Sequence, residues 1–366
     1  MKILIVPNNT VNNCFGLRNK LPMDFIEQEV VIQNGFKSYY DPARKQRVID
    51  SAPFDWADVV VFNRHYDMGT ETIKNCIRYC KDAGKKVIYE TDDLLQGLDN
   101  ANPMFQDIEG HIDQIKMMAS EVDVCTTTGK ELKRELLELN PNVEILPNCV
   151  DPKKWEKRKK GKKIRVGWAG GSSHTADMFI IIDVIKELQQ ELDFEFVIFG
   201  LADKPWDEHV KRLKAKHAKQ NNDYPRMKPA HWYSKIIELD KKLKGLKWTH
   251  EPFVPLPEFP KKLKDINLDI GLCPLVDTKF NRCKSAIKFY EYAMVNTCTV
   301  ASKIPPYEGE VNCCVKNKHS KWKAKLRLLI EDKKVREFLT AEQREWVLKN
   351  RDIRNNVHKW EKVYSA

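Results

Sequence analysis

The chain has 366 residues, 42% of them hydrophobic, and a formal net charge of +11. That length suits two cores rather than one, and the apolar content excludes wholesale disorder. No apolar run approaches the roughly 20 residues of a membrane span, and the scattered Cys residues suggest neither a disulfide framework nor a zinc site.

Lys2–Pro7 predicts a buried first strand, too short and too soon polar for a signal peptide. With reduced thiols, this places the expected protein in the cytoplasm. A loop with Asn9, Asn13 and Gly16 follows. Asp58–Phe62 and Lys86–Tyr89 predict buried parallel strands joined by a helix over Glu71–Ala83. Val122–Thr126 and Val143–Pro147 predict two more, with a helix over Gly129–Leu139. The basic linker Pro152–Lys162 then leads to a second strand-and-loop start, Lys163–Ala169 followed by Gly170-Gly171-Ser172-Ser173-His174. Ala176–Leu192 predicts a helix, Phe194–Phe199 and Leu268–Leu275 strands, and Lys321–Tyr364 helix. Alternating β and α units twice over imply an α/β protein with two Rossmann-like, doubly wound domains facing a cleft. The domains are expected at 1–152 and 163–344, with a C-terminal helix over about 345–366 crossing back to the first.

The charge is uneven. Residues 204–247 carry 13 Lys and Arg against 5 Asp and Glu. Such a segment suits a polyanionic partner, whether nucleic acid, an anionic membrane face or an acidic glycan; a Lys-rich surface also serves solubility alone. Its aromatics, Trp206, Tyr224, Trp232 and Tyr233 among them, suit the packing of an inserted helix pair.

Residues 278–293 carry most of the chemistry. On one continuous helix Lys284, Lys288 and Glu291 share a face, with Arg282 and Ser285 at its start. Cations beside a helix N-terminus, after a buried strand, make an anion cradle. Glu291 is placed to bind sugar hydroxyls. The same spacing also suits an ordinary solvated face. Glycines at 170 and 171 let a ligand approach the backbone, and Ser172 adds a hydroxyl. In the first half, Tyr89-Glu90-Thr91-Asp92-Asp93 closes a strand, so its carboxylates are candidates for base chemistry or helix capping. Arg64 and His65 follow another strand on the same side.

The run from Phe280 to Ser302 resembles the donor-binding segment of GT-B glycosyltransferases of the group 1, family 4-like set. Asn296-Thr297-Cys298-Thr299-Val300-Ala301-Ser302 stands where that set carries G-x-P-V-V-A-S, without its Gly-x-Pro. Val166 to His174 resembles the set's donor-domain opening, I-G-W-A-G-S-x-S-H. The resemblance implies a retaining transferase that needs no added cofactor. Its donor would be a nucleoside-diphosphate sugar, UDP-linked. Arg282 and Lys288 would hold the diphosphate and Glu291 the ribose, with Gly170, Gly171, Ser172, Lys284 and Ser285 also on the donor side. Asp92 and Asp93 would face the cleft as catalytic candidates. Asn9, Asn13, Gly16, Arg64 and His65 would lie on the acceptor side. Members build cell-surface glycans or glycosylate hydroxymethylated DNA bases. Two alternatives stand beside this: a non-catalytic nucleotide-sugar binder, and a metal-dependent GT-A-like transferase using Glu90 and Asp92.

Overall fold

The computed structural model describes residues 1–10, 14–43, 45–98, 100, 102–159, 161–223 and 231–365. The first half holds β1 (Lys2–Val6), β2 (Glu29–Ile32), β3 (Ser38–Asp41), β4 (Gln46–Ile49), β5 (Val59–Asn63), β6 (Lys86–Glu90), β7 (Val124–Thr127) and β8 (Val143–Ile145). Six of these form a sheet in the order β2-β1-β5-β6-β7-β8, every neighbouring pair parallel. β3 and β4 form a separate antiparallel hairpin. The central strands are apolar on both faces because both are covered. Leu4 and Val6 pack into one core with Phe62 and Tyr89. Ile3 and Ile5 point the other way, into a core closed by Trp360, Val363 and Tyr364.

The second half holds β9 (Arg165–Gly170), β10 (Glu195–Gly200), β11 (Trp248–Glu251), β12 (Ile270–Cys273), β13 (Cys298–Ser302) and β14 (Cys314–Val315). They form one sheet in the order β11-β10-β9-β12-β13-β14, again parallel throughout. Two doubly wound sheets are therefore present, as the twin alternation predicts. The order reverses between β9 and β12, so the carboxyl ends of these strands form a crevice.

The segment between β10 and β11 forms two helices, Trp206–Asp223 and His231–Leu243. Trp206 and Tyr233 are buried, and the Trp206 indole N–H donates to Asp240 at 3.0 Å, so these aromatics pack the insertion. Tyr224 lies outside the described residues. The predicted helix over Ala176–Leu192 is two helices, Thr175–Met178 and Ile182–Glu191.

Helix Lys333–Arg351 packs on the second half, with Val347 fully buried in its core. The chain crosses at Asp352, where Val150 N–H donates to Arg351 C=O at 2.9 Å and Ile353 N–H to Val150 C=O at 3.0 Å. The crossing helix is His358–Ser365, shorter than expected because the preceding helix belongs to the second half. Among the described residues no helix is long and apolar enough to cross a membrane.

Candidate functional site

β9 ends at Gly170, where the chain turns through Gly171 into a short 3-10 turn, Ser172–His174. β10 runs parallel beside this end, with Gly200 paired to Gly170. Gly200 has φ +100°, and a Cβ there would sit 2.1 Å from the Gly170 carbonyl oxygen. Only glycine fits such a position. A Cβ on Gly170 would meet the Trp168 ring at 2.5 Å and Lys288 Cε at 3.0 Å. The missing side chain leaves room for the lysine. The cavity above these glycines is about 540 Å³, and Ser172, His174, Lys288 and Glu291 line it with the apolar 253–256 loop.

Lys288 stands in the first turn of helix Ile287–Met294. Its Nζ lies 2.9 Å from His174 Nε2 and 5.8 Å from the centroid of the Trp168 ring. Burial, and then the Lys284 charge, push it down to about 8. His174 Nδ1 lies 2.7 Å from Asp177 Oδ2. Burial and the Lys288 charge push the imidazole down to about 4, so it is neutral near pH 7, and Nε2 accepts from the lysine. Glu291 is one turn further along the helix, and burial pushes its carboxyl up to about 8 against the pull of Lys288. Glu291, Ile287, Leu256 and Phe259 also line a neighbouring cavity of about 530 Å³ between the halves. Gly16 and Trp155 close its other side. A Cβ on Gly16 would lie 2.4 Å from Leu256 Cδ2, so this glycine lets the two halves touch.

The 278–286 segment departs from a continuous helix. Thr278 caps a short helix, Lys279–Arg282, whose Phe280 and following Cys283 plug into the first half's core. The next helix starts only at Ile287. Lys284 therefore precedes the Lys288 helix instead of sharing its face. Lys284 Nζ lies 3.7 Å from Asp93 Oδ1 and 4.5 Å from the Phe280 ring centroid. Ser285 Oγ accepts from Asn148 Nδ2 at 2.7 Å. Arg282 is not brought to Lys288. Its side chain is 48% exposed and 3.6 Å from Asp277. It lines a different cavity, of about 700 Å³, with Lys284, Ser285 and Arg351.

Similarity to solved structures bears on the same frame. No protein-family model matches the chain, and no curated protein matches it. An alpha-glucosyltransferase (AGT) solved with UDP superposes with a TM-score of 0.64 at 13% identity, covering 100% of both chains. The alpha-glucosyltransferase solved with UDP-glucose and DNA containing an abasic site gives 0.62 at 11%, over 100% of this chain and 99% of that one. S. aureus TarM, solved with UDP, gives 0.54 at 13% over 90% of this chain, which spans 62% of TarM. The fold is GT-B.

In the GT-B frame the first half faces the cleft with its strand ends. Glu90 closes β6 as a buried carboxylate gripped by Arg18, at 2.7 Å from Nε and 3.0 Å from Nη2. Thr126 donates to it as well. With both oxygens so engaged, Glu90 is not arranged with Asp92 as a metal-ligand pair. The two-sheet fold also corrects the GT-A-like alternative, which needs a single Rossmann-like unit. Arg64, at φ +56°, donates to Asp92 at 2.8 Å; burial raises that carboxyl, but the Arg64 charge and its other partners outweigh it and hold it below its ordinary range. His65 packs against His111 with ring centroids 4.8 Å apart; burial, then His111, push it down to about 4, which makes it a weak base. Asn9 is exposed after β1, and Asn13 lies outside the described residues.

Four residues of the GT-B cleft were not singled out from the sequence. Arg18 sits on a one-turn π-helix, Phe15–Lys20, of a kind frequent at functional sites. Its Nη1 also donates to Asn148 Oδ1 at 3.0 Å. Asn148, after β8, carries that contact on to Ser285. Trp155 gave no signal beyond its place in the linker. Asp177 had one, because His174-x-x-Asp177 is the spacing of neighbours on a helical turn.

Proposed function

We propose that the protein is a glycosyltransferase taking a sugar from a nucleoside-diphosphate sugar, UDP-linked, to a hydroxyl acceptor. One observation carries this: the half-buried Lys288 ammonium faces a side-chain-free glycine turn at the switch point of a parallel sheet, one helical turn from Glu291. A glycine turn admits a diphosphate to the backbone. Lys288 then lies where negative charge grows as the sugar departs, and a cation preorganised in a low-dielectric pocket stabilises that charge strongly. Lys284 supplies the second positive field, since its charge reaches Lys288. Arg282 lines the separate cavity of about 700 Å³, away from Lys288. Glu291 binds the ribose hydroxyls, and its protonated form can both donate and accept. The Leu256–Phe259–Ile287 wall suits a nucleobase. Retention at the anomeric carbon belongs to the same proposal.

For the acceptor we infer a hydroxymethylated base in DNA over a cell-surface glycan. The end-to-end likeness to an alpha-glucosyltransferase solved with DNA supports it. So do Lys204, Lys211, Lys216 and Lys241, which are exposed and lack carboxylate partners among the described residues. Other charges of that segment are spent locally, as in Lys242–Asp183 at 2.8 Å and Arg212–Asp203 at 3.1 Å. A duplex base would have to be flipped outward to reach the cleft. The test screens nucleotide sugars by thermal shift and then offers hydroxymethylated DNA and glycans with the stabilising donor. Sugar transfer to DNA, with a steep loss of binding in salt, is the expected result. Donor binding without either transfer or hydrolysis would favour a non-catalytic binder.

A further inference from the structure

His174 and Asp177 form a buried arrangement that neither the glycine cradle nor the ribose contact uses. Their side chains are 13% and 3% exposed. Asp177 is itself fixed: its Oδ1 accepts from Val276 N–H at 2.7 Å, at the carboxyl end of the β12 segment. Its Oδ2 faces His174 Nδ1 at 2.7 Å. A carboxylate has no proton to give, so the imidazole proton must lie on Nδ1. That leaves a lone pair on Nε2, 2.9 Å from the Lys288 ammonium.

We propose that His174, locked in one tautomer by Asp177, is a positioning residue that aims Lys288 at the donor diphosphate. This rests on the donor-site assignment above. An ammonium has three N–H donors on a flexible four-carbon stem. One of them is held by Nε2, which leaves the other two for the cavity. The acceptor is neutral, so it orients the ammonium without cancelling its charge. A carboxylate in the same place would form an ion pair and spend the charge that the leaving group needs. The arrangement parallels the outer-shell carboxylates that fix a histidine tautomer at other sites.

The tautomer separates this role from simple packing. Asp177→Asn can keep the bond from Val276 N–H but presents an NH2 to His174 Nδ1. The imidazole proton then moves to Nε2 and points at Lys288. His174→Gln keeps an acceptor near the Nε2 position, whereas His174→Ala does not. We expect kcat to fall at least about tenfold in Asp177→Asn and His174→Ala, with a smaller change in KM and with His174→Gln recovering most of the loss. Histidine-selective ¹⁵N NMR of the wild-type protein reads the geometry without any activity. His174 should be neutral with its proton on Nδ1 near about pH 7, and its Nε2 resonance should move in Lys288→Met. A wild-type protein that shows this signature but binds no UDP would refute the donor assignment and leave the positioning geometry standing. Nε2-protonated His174 in the wild type would overturn the proposal. So would wild-type kcat in Asp177→Asn, or a loss there that merely follows its thermal stability.

Discussion

Asn148 Nδ2 donates to Ser285 Oγ at 2.7 Å, joining the first half to the segment that leads into the Lys288 helix. Behind Asn148 stands Arg18, and behind Arg18 the buried Glu90. The β6 strand end and the donor segment are thus connected through hydrogen bonds made by side chains from both halves. Asp93 and Lys284 make a second connection nearby.

This chain of contacts predicts a large stability effect at its charged centre. Arg18→Met would strand Glu90 in the interior without its bidentate partner. Breaking a buried pair costs about 3–5 kcal/mol, readable as a lower urea midpoint. Adding Glu90→Gln to Arg18→Met should restore part of the loss, because no buried charge then remains.

The two adjacent glycines should separate sharply. Gly170→Ala drives its Cβ into Trp168 and toward Lys288, whereas a Cβ on Gly171 meets nothing within 4 Å. Gly170→Ala is expected to lower both stability and donor binding, by overpacking of about 1–3 kcal/mol. Gly171→Ala should leave the urea midpoint nearly unchanged.

The pH dependence follows from Lys288. Its ammonium loses its proton near pH 8, and an uncharged amine holds a diphosphate poorly. UDP affinity should therefore decline above that pH, by about tenfold per unit until the bound-state value is reached. Lys288→Arg, which stays charged, should show no such decline in calorimetric titrations.

Glu291 gives a stability slope of the opposite origin. Its folded value is raised from 4.5 to about 8, so the folded state keeps a proton that the unfolded chain loses. Stability should fall as pH rises between those values, by at most about 1.4 kcal/mol per unit. Glu291→Gln should remove that component of the slope in denaturant titrations across this range.

Much of the frame was legible because buried parallel strands are runs of apolar residues. Val59–Asn63 and Glu195–Gly200 have almost no exposed positions, and their sequences say so. The hairpin of β3 and β4 was not legible: Tyr39 and Tyr40 are both exposed, so no alternation marks a buried face. Strand β14 has only two residues. At the site, the motif spacing brought Lys288 and Glu291 to one cavity. It misplaced Lys284 and Arg282, because Phe280 and Cys283 are drawn into the other half's core and break the helix. Periodicity describes one helix at a time and carries no information on such a long-range contact. The Arg18–Glu90 pair, 72 residues apart in sequence, was hidden for the same reason.

The most direct test of the donor site is a calorimetric titration of UDP into wild-type protein and Lys288→Ala, each checked for unchanged thermal unfolding. Lys288 as the diphosphate anchor predicts saturable binding by the wild type and a loss of at least about tenfold in the variant, on the order of 1.4 kcal/mol. Equal affinity in the two proteins would contradict it.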